Sequence, residues 1–138
     1  MSNRDQVEAV VREIYARRCA GDVDGLMAMF GPDPHFRLAG DEILGPLTTE
    51  VRGREDLRAI LERLTNAWDW RDYRVDTVVV EGNRAVVHSK GTMFYVPKQQ
   101  SFPTETLDLM TIADGKIADF LQFCDTHMAA RAMDILPV

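Results

Sequence analysis

No run of about 18 consecutive apolar residues occurs anywhere in the chain, so none of it reads as a membrane-spanning helix. Cysteine is scarce: Cys19 and Cys124 are the only two, far apart and outside any C-x-x-C pair. That pattern argues against a disulfide framework or a cysteine-based metal site and favours two reduced, buried thiols. Basic clusters are missing as well. The formal charge is −6 and the pI is near 5.0, which disfavours nucleic acid and anionic membrane as partners. His35 and His127 have no carboxylate or second histidine at ligand spacing, so no metal and no cofactor are expected. There is no G-x-S-x-G elbow, P-loop, dinucleotide fingerprint or internal repeat. The first residues are charged and periodic rather than an apolar stretch with a cleavage site, and the expected location is cytoplasmic.

What is present suffices for one core: 138 residues with 46% hydrophobic content, read as a single α+β domain over residues 1–138. Val7, Val10, Val11 and Ile14 have helical spacing, with Ser2, Asn3 or Asp5 as N-cap and Gly21 as the stop. Asp22 caps a second helix through Leu26, Met27, Met29 and Phe30, closed by Gly31-Pro32. A short extended piece around His35–Leu38 leads into a Gly- and Pro-bearing loop ending at Gly53, and a third helix spans Arg54 to Ala67. From Tyr73 the period becomes two, giving strands around Val75–Val80, Ala85–Tyr95, Thr104–Ile112 and Ile117–Cys124. Gly82-Asn83 and Asp114-Gly115 predict tight hairpins, whereas Pro97–Pro103 predicts a looser crossing. Asp125-Thr126 caps a last helix. Both faces of the last strand are substantially apolar; helices cover one, which predicts a second copy of the chain on the other and hence a homodimer.

Three stretches, Gly21-Asp22-Val23-Asp24-Gly25-Leu26, Val51-Arg52-Gly53-Arg54-Glu55-Asp56-Leu57 and Leu107-Asp108-Leu109-Met110 before Asp114-Gly115-Lys116-Ile117, resemble SnoaL-like and ketosteroid isomerase-like members of the nuclear transport factor 2-like superfamily. The resemblance implies a cone-shaped α+β barrel whose helices pack on the concave face of a curved, mostly antiparallel sheet, with a pocket between them. It fixes no reaction, because the superfamily includes isomerases, cyclases, hydrolases, dehydratases and binding modules. Residue by residue, Asp108 looks similar to the protonated carboxylic acid that donates to an enolate oxygen in the isomerases. The isomerase base falls on Leu38, with Asp41 the nearest carboxylate. The tyrosine of the first helix falls on Ile14, with Tyr15 about 100° further round. The epoxide-hydrolase aspartate falls on Gln122.

Strand alternation places Thr104, Thr106, Asp108, Met110 and Ile112 on one face. A carboxylate there is either a pocket acid of raised pKa or a structural ion-pair partner. The preceding strand puts Arg84, Val86, His88, Lys90, Thr92 and Phe94 on one face, and comparison with the isomerases implies that this face is concave. His88 would then shuttle a proton beside Asp108, or be a hydrogen-bonded core residue. Lys90 would neutralise Asp108, bind a substrate oxygen or snorkel to the rim. Tyr15, Leu38, Trp68, Phe120 and Gln122 complete the expected contacts to a small hydrophobic ligand, although Trp68 also continues a helical core stripe and Phe94, Phe120 and Met110 could fill the pocket. Two functions remain: a cofactor-independent acid/base enzyme acting on a hydrophobic carbonyl compound or epoxide, and a non-catalytic binding or dimerisation module.

Overall fold

The structure, a computed structural model, describes residues 2–135. Ser2 starts the first helix: its hydroxyl accepts from the Asp5 amide while the Asp5 carboxylate accepts from the Ser2 amide, satisfying donors that a helix start leaves free. This helix, α1 (Asn3–Ala20), turns inward Val7, Val11, Ile14 and Tyr15 and ends at Gly21, which takes the left-handed φ of 70° that a side chain would resist. Asp22 caps α2 (Val23–Met29). The chain leaves the helix before Gly31-Pro32, because Phe30 is already extended and begins β1 (Phe30–Ala39). The segment expected to be loop contains a 3-10 stretch, Glu42–Thr48, and a two-residue strand, β2 (Val51–Arg52).

Arg54 explains why α3 (Arg54–Ala67) starts where it does. Its guanidinium donates to the carbonyls of Met27, Phe30 and Gly31 at 2.9–3.0 Å, clamping the helix start to the α2–β1 corner. Glu55 and Asp56 lie in the first turn, at the positive end of the helix dipole, and Leu57, Ile60 and Leu61 point to the core. β3 (Trp68–Glu81) follows with no intervening loop, so both tryptophans belong to the sheet. β4 (Arg84–Tyr95), β5 (Gln100–Ala113), β6 (Lys116–Phe123) and α4 (Thr126–Met133) complete the order.

The open, curved sheet has the order β2-β1-β6-β5-β4-β3, with β1 parallel to β6 and every other neighbour antiparallel. The β4–β5 connection corrects the expectation of a loose crossing. One 3-10 turn over Val96–Lys98, closed by Gln99 in the left-handed region, holds an unbroken register from Arg84↔Thr111 to Tyr95↔Gln100. Pro103 is tolerated inside β5 because pairing with β6 begins only at Leu107↔Phe123, leaving that part of β5 with a free side.

Irregularities bend the sheet round the helices. β3 carries register shifts at Asp69/Asp72 and Val75/Thr77, and Gly91 lies opposite Tyr73, where a Cβ would fall 2.1 Å from the Asp72 carbonyl oxygen. A shift between β5 and β6 leaves Ile117 buried together with Phe120 and Gln122 instead of on the opposite face. The helices and the concave face enclose one hydrophobic cluster with Val11, Leu57, Val87, Met110 and Ile117 at its centre. No helix among the described residues is long and apolar enough to cross a membrane.

Candidate functional site

Between α1, α3, α4 and the concave face lies a cavity of about 80 Å³, partly open to solvent. Its wall is almost entirely apolar, built from Leu26, Phe30, Phe36, Leu38, Trp68 and Phe120 among others. Phe36 stacks on Phe120 at 5.3 Å between ring centroids, and Trp68 packs on Tyr95 at 4.4 Å. The polar exceptions are few: Tyr15 and Arg18 from α1, Thr104 and Thr106 from β5, and Gln122 and Cys124 at the end of β6. Such a wall selects by shape and apolar area, with its few polar groups left to orient a ligand.

Tyr15 reaches across the cavity floor to β5, where its hydroxyl donates a short hydrogen bond to Asp108 Oδ2. Asp108 is fully buried behind the lining and is reached from the cavity through Tyr15. Burial pushes its carboxyl up to about 7, and the side chains of Tyr15 and Gln122 only partly offset this. Burial and the adjacent carboxylate also push the Tyr15 hydroxyl well above its ordinary value. Asp108 Oδ1 has no hydrogen-bond partner among the described residues, and the same holds for Ser89 Oγ, Trp70 Nε1 and Thr104 Oγ1. One register step along, Tyr73 pairs with Thr106 Oγ1 at 2.7 Å and packs against Trp70 in a tilted arrangement, 4.5 Å between ring centroids.

This pair can present two faces to the cavity. With Asp108 ionised, the Tyr15 proton is committed to the carboxylate and the cavity meets only an acceptor oxygen. With Asp108 neutral, the carboxyl can donate to the Tyr15 oxygen, freeing the Tyr15 O–H to donate to a ligand. Near neutral pH both forms are populated, so the pair as a whole takes up or releases one proton at little cost while the Tyr15 hydroxyl keeps its own. Cys124 is no second acid or base here, because burial pushes its thiol up to about 11.

Of the residues singled out in the sequence, Tyr15, Leu38, Trp68, Phe120 and Gln122 all line the cavity, and Asp108 lies directly behind it. His88 and Lys90 do not. The inward residues of β4 are Ala85, Val87, Ser89 and Met93, so the face carrying His88 is the outer one. There His88 Nε2 lies 2.7 Å from Glu105 and Nδ1 3.4 Å from Asp76, while Lys90 lies 3.6 Å from Asp76. The expected proton shuttle by His88 and the expected Lys90 contact are therefore corrected. Asp108↔Val87 are register partners and share a face, which forces His88 to the other. The displacement inferred for the tyrosine is corrected too: Ile14 and Tyr15 both face the cavity, because the inward stripe of α1 is wide enough for neighbouring positions. Phe94 and Met110 do not fill the cavity.

Arg18 was not anticipated. Arg18 follows Tyr15 by three positions, a spacing that puts both on one helix face; that was the available signal.

Residues 11–120 match the family model for the SnoaL-like domain. No curated protein matches the sequence significantly. Among solved structures, a candidate isomerase from Bacillus subtilis superposes with a TM-score of 0.86 at 10% identity, covering 99% of this chain and 98% of that one. A candidate polyketide cyclase from Xanthomonas campestris pv. campestris gives 0.76 at 17% identity over 95% and 98% of the two chains. An LEH-like epoxide hydrolase from M. tuberculosis gives 0.73 at 13% identity over 93% and 89%. At these identities the likeness establishes the fold alone.

Proposed function

The chain belongs to the SnoaL-like domain family, and from that premise we propose that its cavity binds a small, largely apolar carbonyl compound or epoxide whose oxygen is held, and protonated where the chemistry requires it, by the Tyr15–Asp108 pair. The observation that carries this reading is a buried tyrosine hydroxyl on an apolar cavity wall, bonded to a buried carboxyl whose pKa lies near 7. Proteins of similar fold include a candidate isomerase, a candidate polyketide cyclase and an epoxide hydrolase, the last of which acts on an epoxide. Asp108 acts as a positioning residue, setting the proton inventory of Tyr15, which touches the ligand. Leu38, Trp68 and Phe120 provide apolar contact, and Gln122 steadies both ligand and carboxyl.

The test compares two bicyclic probes of nearly equal shape, 2-tetralone and the hydrocarbon tetralin, through quenching of Trp68 and Trp70 fluorescence. The ketone is expected to bind about five- to ten-fold tighter at pH 6, the worth of one well-placed hydrogen bond, and Tyr15→Phe is expected to erase the difference. Equal binding of both probes by the wild type would sink the reading.

A non-catalytic binding role is favoured by one observation: apart from the Tyr15–Asp108 pair, the titratable side chains lining the cavity are Arg18 and Cys124, neither of which is a base at neutral pH. Binding that survives with no turnover in any variant would support it.

The outer sheet face supports the reading of a homodimer. Val79, Val86, Leu109 and Leu121 form one row across four strands, and Leu107 and Phe123 are nearly half exposed in the adjoining row. Sedimentation velocity is expected to give a dimer for the wild type and a monomer for Leu107→Glu/Phe123→Glu; a wild-type monomer at micromolar concentration would contradict this.

A further inference from the structure

Arg18 is an unusual residue to find in the wall of an apolar cavity, because a guanidinium stays charged and is costly to hold among apolar side chains without a counter-ion. Its side chain follows Tyr15 on the same face of α1 and lies over Trp70, with the guanidinium carbon 4.5 Å from the ring centroid. Nη2 donates to the carbonyls of Leu64 and Trp68, at 3.3 and 2.9 Å, at the C-terminal end of α3, where the Leu64 carbonyl also accepts from the Trp68 amide. Nη1 and Nε make no hydrogen bond to any described residue. No carboxylate among the described residues forms an ion pair with Arg18; Asp69, the acid whose field reaches it, is engaged by Arg71, which holds it through two side-chain hydrogen bonds. Burial lowers the Arg18 pKa to about 10, a mark of incomplete compensation that leaves the group charged at neutral pH.

We infer that Arg18 is an anion anchor, and that the cavity takes an aromatic or fused-ring compound with a carboxylate at the Arg18 end and its reacting oxygen at Tyr15. This rests on the cavity being a ligand pocket, as proposed above, and adds the charge class of the ligand. The carboxylate supplies the counter-ion that the protein withholds, and Nη1 and Nε are the donors left to meet it. Trp70 joins the two ends: it stacks against Tyr15, 6.4 Å between centroids and 21° between planes, and carries the guanidinium on its face. A flat ring system beside Trp70 would touch both polar groups at once. Two anchors at opposite ends define direction as well as affinity, since a ligand entering reversed would set its carboxylate against the Asp108 side of the cavity.

The experiment uses 2-naphthoate and methyl 2-naphthoate, read by tryptophan fluorescence and calorimetry on the full chain. An apolar cavity without an active cation prefers the ester, which is the more hydrophobic of the two. The wild type is expected to reverse this and bind naphthoate about ten-fold tighter or more. Arg18→Met restores preference for the ester, and Arg18→Lys keeps a partial preference for the acid. Where Arg18→Met does not fold, the wild type still decides the matter through its Arg18 Nε–H resonance, which shifts with naphthoate and not with the ester. A wild type that binds both probes equally or favours the ester, a preference that persists in folded Arg18→Met, or an unmoved Arg18 resonance overturns the inference while leaving the Tyr15 reading intact. Failure of both probes to bind overturns it together with the pocket reading.

Discussion

An Asp108→Asn protein is expected to melt higher than the wild type at pH 8, by up to roughly 10 °C, and to lose most of that advantage near pH 4. The reason is proton linkage. Asp108 titrates near its ordinary 3.8 in the unfolded chain and at about 7 in the folded one. Between these values the folded state holds more protons, so stability falls as pH rises through the window and levels off above it. Full burial leaves no solvent to screen the charge, and the shift corresponds to at most about 4 kcal/mol lost by pH 8. Asparagine occupies the same space, accepts from Tyr15 and never ionises, so it escapes the loss. Thermal unfolding followed by circular dichroism from pH 4 to 9 checks this. Parallel curves for the two proteins would mean that Asp108 is ionised at no cost, and the acid role would go with it. A stabilising loss of the carboxylate is the signature of a residue kept for function against the interest of the fold.

How far the sequence foretold this arrangement depends on the kind of signal. Caps and stops are local, so Ser2, Gly21, Asp22 and Asp125 placed helix ends closely. Strand alternation was legible too, and the inward set Thr106, Asp108, Met110 and Ile112 stands as read. Phase is a different matter. Alternation in β4 gives two sets, and the one with His88 and Lys90 attracted attention because it holds the chemistry, while Ala85, Val87 and Met93 are the better core residues. The β4–β5 register would have decided between them, since antiparallel partners share a face and Asp108 inward demands Val87 inward. That register was hidden because Pro97 and Pro103 looked like the ends of a long connection, whereas only Pro97 lies in the turn. Tyr15 was displaced for a related reason: an inherited position was matched to one residue, although a helix packed in a concave sheet turns a broad arc inward. Arg18 escaped because nothing in an exposed-looking Arg17-Arg18 pair separates the cation that binds Glu13 and the Gly25 carbonyl from the one that enters the cavity.

The largest functional effect is expected from Tyr15→Phe, read as exchange of the α-protons of 2-tetralone in deuterated water by proton NMR. In this exchange solvent base removes the α-proton, the electron pair moves onto the carbonyl oxygen, and deuterium returns to carbon when the enolate collapses. Because the base is the solvent in every case, the ratio of wild type to variant isolates what the cavity gives the oxygen. A donor fixed in a dry wall and aimed at developing negative charge contributes about 10²–10³ in rate, and Tyr15→Phe should lose that factor with little change in tetralin binding. The pH profile separates donor from mere contact. Tyr15 can donate to the ligand while Asp108 is protonated and must share its proton with the carboxylate once Asp108 ionises, so the advantage over buffer falls as pH rises through about 7. Asp108→Asn, neutral throughout, keeps part of the advantage and shows no break there. A Tyr15→Phe rate within about three-fold of wild type would place the oxygen elsewhere in the cavity and reduce the pair to a structural contact.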